Sequence, residues 1–167
     1  AITTVAWARN GTCHVLDVRR GRWGVYDTIG QLFSVKSQFR PAQIGIEKVA
    51  YQQALIEVFT REMKIRGEFI PITELRAKSS KEERIRALFG LFARGQIFFT
   101  KAFPELEEEL CSFPYGINDD MIDALAYELQ MMTTSPAPGY KEPKKDTGAY
   151  LIDKVLNKPK HNVLGNY

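Results

Sequence analysis

The chain has 167 residues and a mass of 19.0 kDa, the size of one ordinary domain. Hydrophobic residues make up 44% of it, enough apolar surface for a core, and the net charge is only +3. It contains neither the roughly 20 uninterrupted apolar residues of a membrane span nor an N-terminal signal pattern. We therefore expect a domain that folds alone in the cytoplasm.

Charge and metal-ligating residues narrow the possible functions. From Thr134 onward six lysines stand against three acids, while basic and acidic groups balance in the rest of the chain. A neutral average does not exclude a polyanionic partner, because separate basic and acidic patches give the same sum. Cys13 and Cys111 lack the spacing of a zinc site or a disulfide framework, so we predict two reduced, buried thiols. The only histidines, His14 and His161, are too few for a His-rich metal site.

The first segment predicts a β-hairpin. Runs rich in β-forming residues at 3–9 and 13–20 flank Asn10 and Gly11, a turn pair that tolerates positive φ at both positions. We expect two antiparallel strands, with His14 as a strand residue that makes a local hydrogen bond.

The middle of the chain alternates between helical and strand patterns. Residues 25–39 carry apolar side chains at helical spacing and are stopped by Pro41. The run 42–49 has alternating β-branched residues and predicts a buried strand that ends near Glu47. Residues 51–67 then predict an amphipathic helix that is closed by its final glycine.

The remaining patterns continue this alternation. Residues 69–75 predict a strand whose proline suits a sheet edge, and residues 79–95 predict a helix with a serine–glutamate capping box. A short strand at 96–100, a short helix opened by proline at 104–110 and a last helix at 119–132 follow. The predicted order is β-β-α-β-α-β-α-β-α-α.

This order predicts an α/β fold in which helices flank a mixed sheet. We assign residues 1–133 to one domain. Residues 134–167 are rich in proline and lysine and are predicted to form an extended C-terminal tail.

The last helix begins with three aspartates. Asp120 and Asp123 lie three residues apart, so they project from the same side of its first turn. Carboxylates held this close repel each other unless a cation intervenes, and oxygen-only clusters suit Mg²⁺ or Mn²⁺. Asp119 is a weaker candidate for the same site. Alternatively, Asn118 or Asp119 caps the helix and the other acids complement its dipole. The predicted core face of the helix comprises Ile122, Leu125, Leu129 and Met132.

Glu47 adds a third acid to this hypothesis. It stands at the C-terminal end of a predicted buried strand, where open α/β sheets place their ligand crevice. An acid there is costly unless it is paired, solvated or metal-bound. The alternative interpretation is a salt bridge with Lys48 or with a later arginine.

Three segments in a fixed order lead to a known family. They are IGIEKVAYQQAL at 44–55, KSSKEERIRALFGLFARGQIFF at 78–99 and INDDMIDALAYEL at 117–129. Together they resemble the C-terminal nuclease domain of the large terminase subunit of tailed bacteriophages, which has a ribonuclease-H-like fold. The similarity extends from about Thr3 to Met132.

The resemblance implies a metal-dependent endonuclease that cuts concatemeric double-stranded viral DNA at the start and end of head filling. Glu47 would be the acid of the middle strand, and Asp120 and Asp123 the acids of the final helix, with two Mg²⁺ or Mn²⁺ ions between them. Members of the family carry a further aspartate on a preceding strand, which we expect upstream of Ala1. Asp17 is a weak substitute, because an ordinary pairing with a neighbouring arginine explains it.

The resemblance also implies partners and a compartment. Besides DNA, the expected partners are an ATPase motor domain, the portal and the small terminase subunit, with no membrane. The expected location is a packaging complex in the host cytoplasm that is absent from the mature particle.

Basic residues at 76–84 are candidates for binding DNA. Arg76, Lys78, Lys81 and Arg84 would contact phosphates with little sequence preference. The alternative is a solvated face balanced by neighbouring glutamates.

Two other functions remain open at this stage. One is a non-catalytic DNA-binding or assembly module of the packaging machine that lacks a complete set of acids. The other is a resolvase-like nuclease that acts on branched DNA.

Overall fold

The computed structural model describes residues 1–132 apart from Arg9 and Val49, and for residues 50–53 it describes the backbone alone. The predicted tail, residues 134–167, lies outside the described residues. Five strands and five helices are present in the described part, in the order predicted from the sequence. They are β1 (Ile2–Trp7), β2 (Cys13–Arg19), α1 (Val25–Phe39), β3 (Ile44–Glu47), α2 (Ala50–Arg66), β4 (Ile72–Leu75), α3 (Lys81–Ala93), β5 (Ile97–Phe99), α4 (Pro104–Ser112) and α5 (Asp120–Met132).

The strands form a mixed α/β architecture in two parts. The first sheet has the order β1-β2-β5, with β1 antiparallel to β2 and β2 parallel to β5. The second sheet contains β3 and β4 in parallel, in register from Ile44 opposite Ile72 to Glu47 opposite Leu75. The antiparallel pairing of β1 with β2 confirms the predicted hairpin. In addition, β1 and β3 each have one edge that no described strand occupies.

Local sequence signals set the ends of several helices. Ser80 and Glu83 form the predicted capping box of α3: the Ser80 hydroxyl accepts from the Glu83 N–H at 3.2 Å, and the Glu83 carboxylate accepts from the Ser80 N–H at 3.0 Å. Gly67 follows α2 with φ of 63°, a conformation that favours glycine at a helix C-terminus. Pro104 lies in the first turn of α4, as predicted.

Two hydrophobic clusters stabilise the fold. One joins β2 and β5 to α3, α4 and α5, and includes the fully buried side chains of Val15, Ile85 and Ile122. The other joins α1, α2 and β3 around Phe59, which is also fully buried. Helix α5 contacts both β1 and β3 and so connects the two sheets.

A buried glutamate fixes the N-terminus of α5. The Oε2 atom of Glu109, on α4, accepts hydrogen bonds from the backbone N–H groups of Met121 and Ile122 at 2.8 and 3.1 Å. Arg20 approaches its other oxygen at 3.6 Å. The predicted capping by the Asp119 side chain was wrong, since its carboxylate bonds to Lys81 at 2.6 Å. The Asp119 carbonyl accepts the Asp123 N–H at 3.0 Å, and the distant Glu109 carboxylate satisfies the two donors before it.

Two predictions about burial were wrong. Cys13 is buried as expected, but Cys111 is exposed because it lies on the outer face of α4. Met132 is 44% exposed, since it occupies the last turn of α5, whereas Met121 and Ala126 are buried in the core.

The capping role of Glu109 predicts the effect of a substitution. Glu109→Ala is expected to lower the free energy of unfolding by about 1 to 3 kcal/mol, because two buried N–H groups lose their acceptor. Glu108→Ala, at the exposed neighbouring position, should lower the free energy of unfolding by less than about 0.5 kcal/mol, apart from the change in helix propensity. Urea denaturation of both variants measures the difference, and equal losses would contradict the capping role.

Candidate functional site

A groove of about 490 Å³ lies between the unpaired edges of β1 and β3. Residues 1–5 line one wall, residues 43–47 line the other, and one face of α5 contributes to the lining. Glu47, Asp120 and Asp123, the three acids selected from the sequence, all line this groove. The fold therefore brings the end of β3 and the first turn of α5 to one concave surface.

Glu47 is tied to α5 by a tyrosine. It ends β3 as predicted, is half-buried, and its Oε1 atom accepts a hydrogen bond from the Tyr127 hydroxyl at 2.5 Å. Burial, followed by the hydrogen bond to Glu47, raises the pKa of Tyr127 to about 12, so the phenol keeps the proton that it donates. The Lys48 partner in the alternative interpretation is taken by another acid, since Lys48 bonds to Glu74 at 2.5 Å.

Asp123 is paired with a nearly buried arginine. The Nε and Nη2 atoms of Arg84 donate to its Oδ1 atom at 3.2 and 2.8 Å. The Arg84 side chain is only 9% exposed, and its guanidinium carbon lies 4.3 Å from the centroid of the Tyr127 ring. The Arg84 Nη1 atom also donates to the Ser79 carbonyl at 2.9 Å. Arg84 thus connects two of the groove acids, because it pairs with Asp123 and packs on Tyr127, which donates to Glu47.

The other two aspartates differ in position. Asp120 lines the groove, whereas Asp119 is not among the lining residues and its carboxylate pairs with Lys81 at 2.6 Å. In the described part of the chain, no three His, Cys, Asp or Glu side chains are grouped closely enough to hold a metal ion. The structure therefore places Glu47, Asp120 and Asp123 on one groove without gathering them into a coordination sphere. Their carboxylate oxygens are the donor type that Mg²⁺ and Mn²⁺ prefer.

Glu128 is a fourth groove acid that sequence reasoning missed. It accepts a hydrogen bond from the Thr3 hydroxyl at 3.2 Å, and burial raises its pKa to about 7. The signal that could have identified it is helical spacing. The side chains of α5 that line the groove recur at helical intervals, and they are Asp120, Asp123, Ala124, Tyr127, Glu128 and Met131.

The candidate DNA-binding residues fall into two groups. Arg76 and Lys78 are exposed on the loop between β4 and α3. Lys81 and Arg84 are engaged with Asp119 and Asp123, so their charges are already partly neutralised.

Two minor predictions about strand residues are confirmed. His14 makes a local contact with the Thr12 hydroxyl at 3.2 Å and stacks on Phe98. Asp17 pairs with Arg19 at 2.6 Å, as expected for an ordinary strand charge.

Comparisons with known proteins give no further assignment. No family model matches the chain, and no curated protein matches it. Among the described helices, none is long and apolar enough to cross a membrane. Function is therefore inferred from the residues of the groove and from the resemblance stated above.

The partly buried position of Glu128 predicts a pH effect on stability. Between pH 4.5 and about 7 the folded protein holds a proton on Glu128 that the unfolded chain has released, so the free energy of unfolding falls as pH rises through this range. Glu128→Gln cannot ionise and keeps an oxygen that can accept from Thr3. The free energy of unfolding of the variant, relative to that of the parent protein, should rise by about 1 to 3 kcal/mol on going from pH 5 to pH 8.

Denaturation at the two pH values measures this gain, with Glu105→Gln, an exposed site on α4, as the control. A difference between Glu128→Gln and the parent that stays constant with pH would contradict the assignment.

Proposed function

We propose that this chain is the metal-dependent endonuclease domain of a viral DNA-packaging terminase, with a ribonuclease-H-like fold. The observation that supports this most is that Glu47, Asp120 and Asp123, chosen from two separate sequence signals, line one groove. The order of elements and the parallel pairing of β3 with β4 are compatible with that fold.

The proposed reaction is hydrolysis of a DNA phosphodiester bond. Two Mg²⁺ or Mn²⁺ ions, when bound, would lower the pKa of an attacking water and stabilise the leaving oxygen. Glu47, from the end of β3, would hold and orient these ions together with Asp120 and Asp123, from the first turn of α5. No histidine or serine nucleophile is required.

A further strand would complete the site in this proposal. The resemblance implies an additional strand aspartate, and the groove presents two unoccupied strand edges among the described elements, β1 and β3. A strand that pairs with both would satisfy two rows of backbone groups and unite the two sheets. Its aspartate would then face the acids of α5.

The proposed substrate is double-stranded DNA, and the remaining partners follow from the same resemblance. Arg76 and Lys78 are exposed, which suits contacts to phosphate. An ATPase motor domain, the portal and the small terminase subunit are the proposed protein partners, in a packaging complex of the host cytoplasm.

A non-catalytic DNA-binding or assembly module is the second candidate. It is favoured by one observation: Arg84 and Tyr127 already satisfy Asp123 and Glu47 in the described structure. Such neutralisation would suit a site that has lost its ions.

The nuclease proposal predicts which substitutions abolish cleavage. A polypeptide extended upstream of Ala1 is expected to nick or linearise plasmid DNA with Mn²⁺, and Glu47→Ala and Asp123→Ala should each reduce the rate at least about 100-fold by removing an ion ligand. Glu57→Ala, an exposed acid on α2, is the matched control and should leave the rate unchanged. Agarose gel assays over time measure the rates.

Cleavage that survives both groove substitutions would refute the site. DNA binding without cleavage by the extended polypeptide would favour the assembly module.

The basic loop before α3 predicts the salt dependence of DNA binding. The double substitution Arg76→Gln and Lys78→Gln should weaken binding to duplex DNA equally across sequences and reduce the slope of log affinity against log salt by about 2. Fluorescence anisotropy at several salt concentrations measures the slope. Arg61→Gln with Lys64→Gln, two exposed cations on α2, changes the net charge equally and should leave the slope unchanged. Equal effects of the two pairs would show that only net charge matters.

A further inference from the structure

Arg84 is held beside the candidate ion site by three kinds of contact. Two of its nitrogens bond to one oxygen of Asp123, its plane lies over the Tyr127 ring, and its third nitrogen bonds to the Ser79 carbonyl. With a side chain that is 9% exposed, it is held on three sides rather than extended into solvent.

We propose that Arg84 is a resident counter-cation of the carboxylate groove, and that a divalent ion binds at Asp123 in competition with it. This inference rests on the proposed function, because it assumes that the groove takes divalent ions. Arg84 is a positioning residue in this account, since it acts through Asp123 and contacts neither ion nor substrate.

The physical argument begins with the charges. A carboxylate facing other acids in a groove is unfavourable unless a cation lies beside it, and Arg84 supplies that charge to Asp123. A divalent ion placed at Asp123 would lie close to the guanidinium, and the two positive charges would repel each other. Arginine stays protonated at all relevant pH values, so only displacement relieves this repulsion.

The contacts of Arg84 also provide a path for displacement. The Ser79 carbonyl bond lies on the loop that precedes α3, so the guanidinium can leave Asp123 and remain attached to that loop. The stacking on Tyr127 is the contact that would be given up together with the ion pair. Tyr127 keeps its separate hydrogen bond to Glu47.

The opposite role for Arg84 gives the opposite prediction. If Arg84 only orients Asp123 for an ion, its removal would weaken ion binding, because the carboxylate would lose its fixed rotamer. If it competes, its removal strengthens binding. The sign of the change in affinity therefore distinguishes the two roles.

The test is a titration of the full 167-residue chain with Mn²⁺, followed by calorimetry and by the electron paramagnetic resonance signal of free Mn²⁺. Arg84→Gln is expected to bind Mn²⁺ about tenfold more tightly than the parent. Arg84→Lys keeps the charge but loses the two-nitrogen contact and should fall between them. Arg86→Gln is the matched control, because Arg86 pairs with Glu82 on the exposed face of the same helix and should leave the affinity unchanged.

Each outcome decides between the claims. Unchanged or weaker binding by Arg84→Gln, with measurable binding by the parent, overturns the competition and leaves the proposed function standing. Absence of Mn²⁺ binding in the parent and in both Arg84 variants overturns the competition, and the cleavage assay of the extended polypeptide then decides separately on the ion site. Tighter binding by Arg84→Gln that is lost when Asp123→Asn is added supports both the ion site and the competition. If Arg84→Gln does not fold, as judged by circular dichroism, Arg84→Lys decides, and binding no tighter than that of the parent overturns the competition.

Discussion

The electrostatic cost of placing several carboxylates on one groove is the constraint that the rest of this structure must satisfy. Glu47, Asp123 and Glu128 line the same concave surface, and each one is provided with its own partner. The Tyr127 phenol donates to Glu47, and the Arg84 guanidinium pairs with Asp123. Burial keeps Glu128 protonated up to about pH 7. Three different chemical means thus accommodate the acids of the groove, and a divalent ion at Asp123 would take the place of the second, the Arg84 guanidinium.

Helix α5 can carry these acids because its two faces have separate tasks. The face with Met121, Ile122 and Leu125 is buried against the sheet of β1, β2 and β5, which fixes the helix in the core. The opposite face turns its acids towards the gap between the two sheets. Gly45 leaves room at this contact, because a Cβ atom there would lie 2.4 Å from the sulfur of Met131 on α5, and that side chain would have to shift. The apolar stripe of α5 thus fixes the helix, while its other face is left to line the groove.

Much of this could be predicted from the sequence, and the exceptions share a cause. The order of all ten elements, the hairpin, the capping box and the position of Glu47 follow from local periodicity and turn chemistry. The partners of the acids do not, since Glu109, Arg84 and Tyr127 act over separations of 12 to 80 residues. A pattern within one helix predicts which side a residue faces, but it does not reveal which distant side chain meets it there. The exposure of Cys111 was missed because composition alone says little about which face of a short helix is covered.

The central claim is that three acids from β3 and α5 converge on divalent ions. Crystals of the chain soaked in Mn²⁺, measured at the manganese absorption edge, would locate the ions by their anomalous signal. The account predicts anomalous peaks in the groove between β1 and β3, bonded to carboxylate oxygens of Glu47, Asp120 and Asp123. Peaks found only elsewhere on the surface, with Asp123 still held by Arg84, would contradict it.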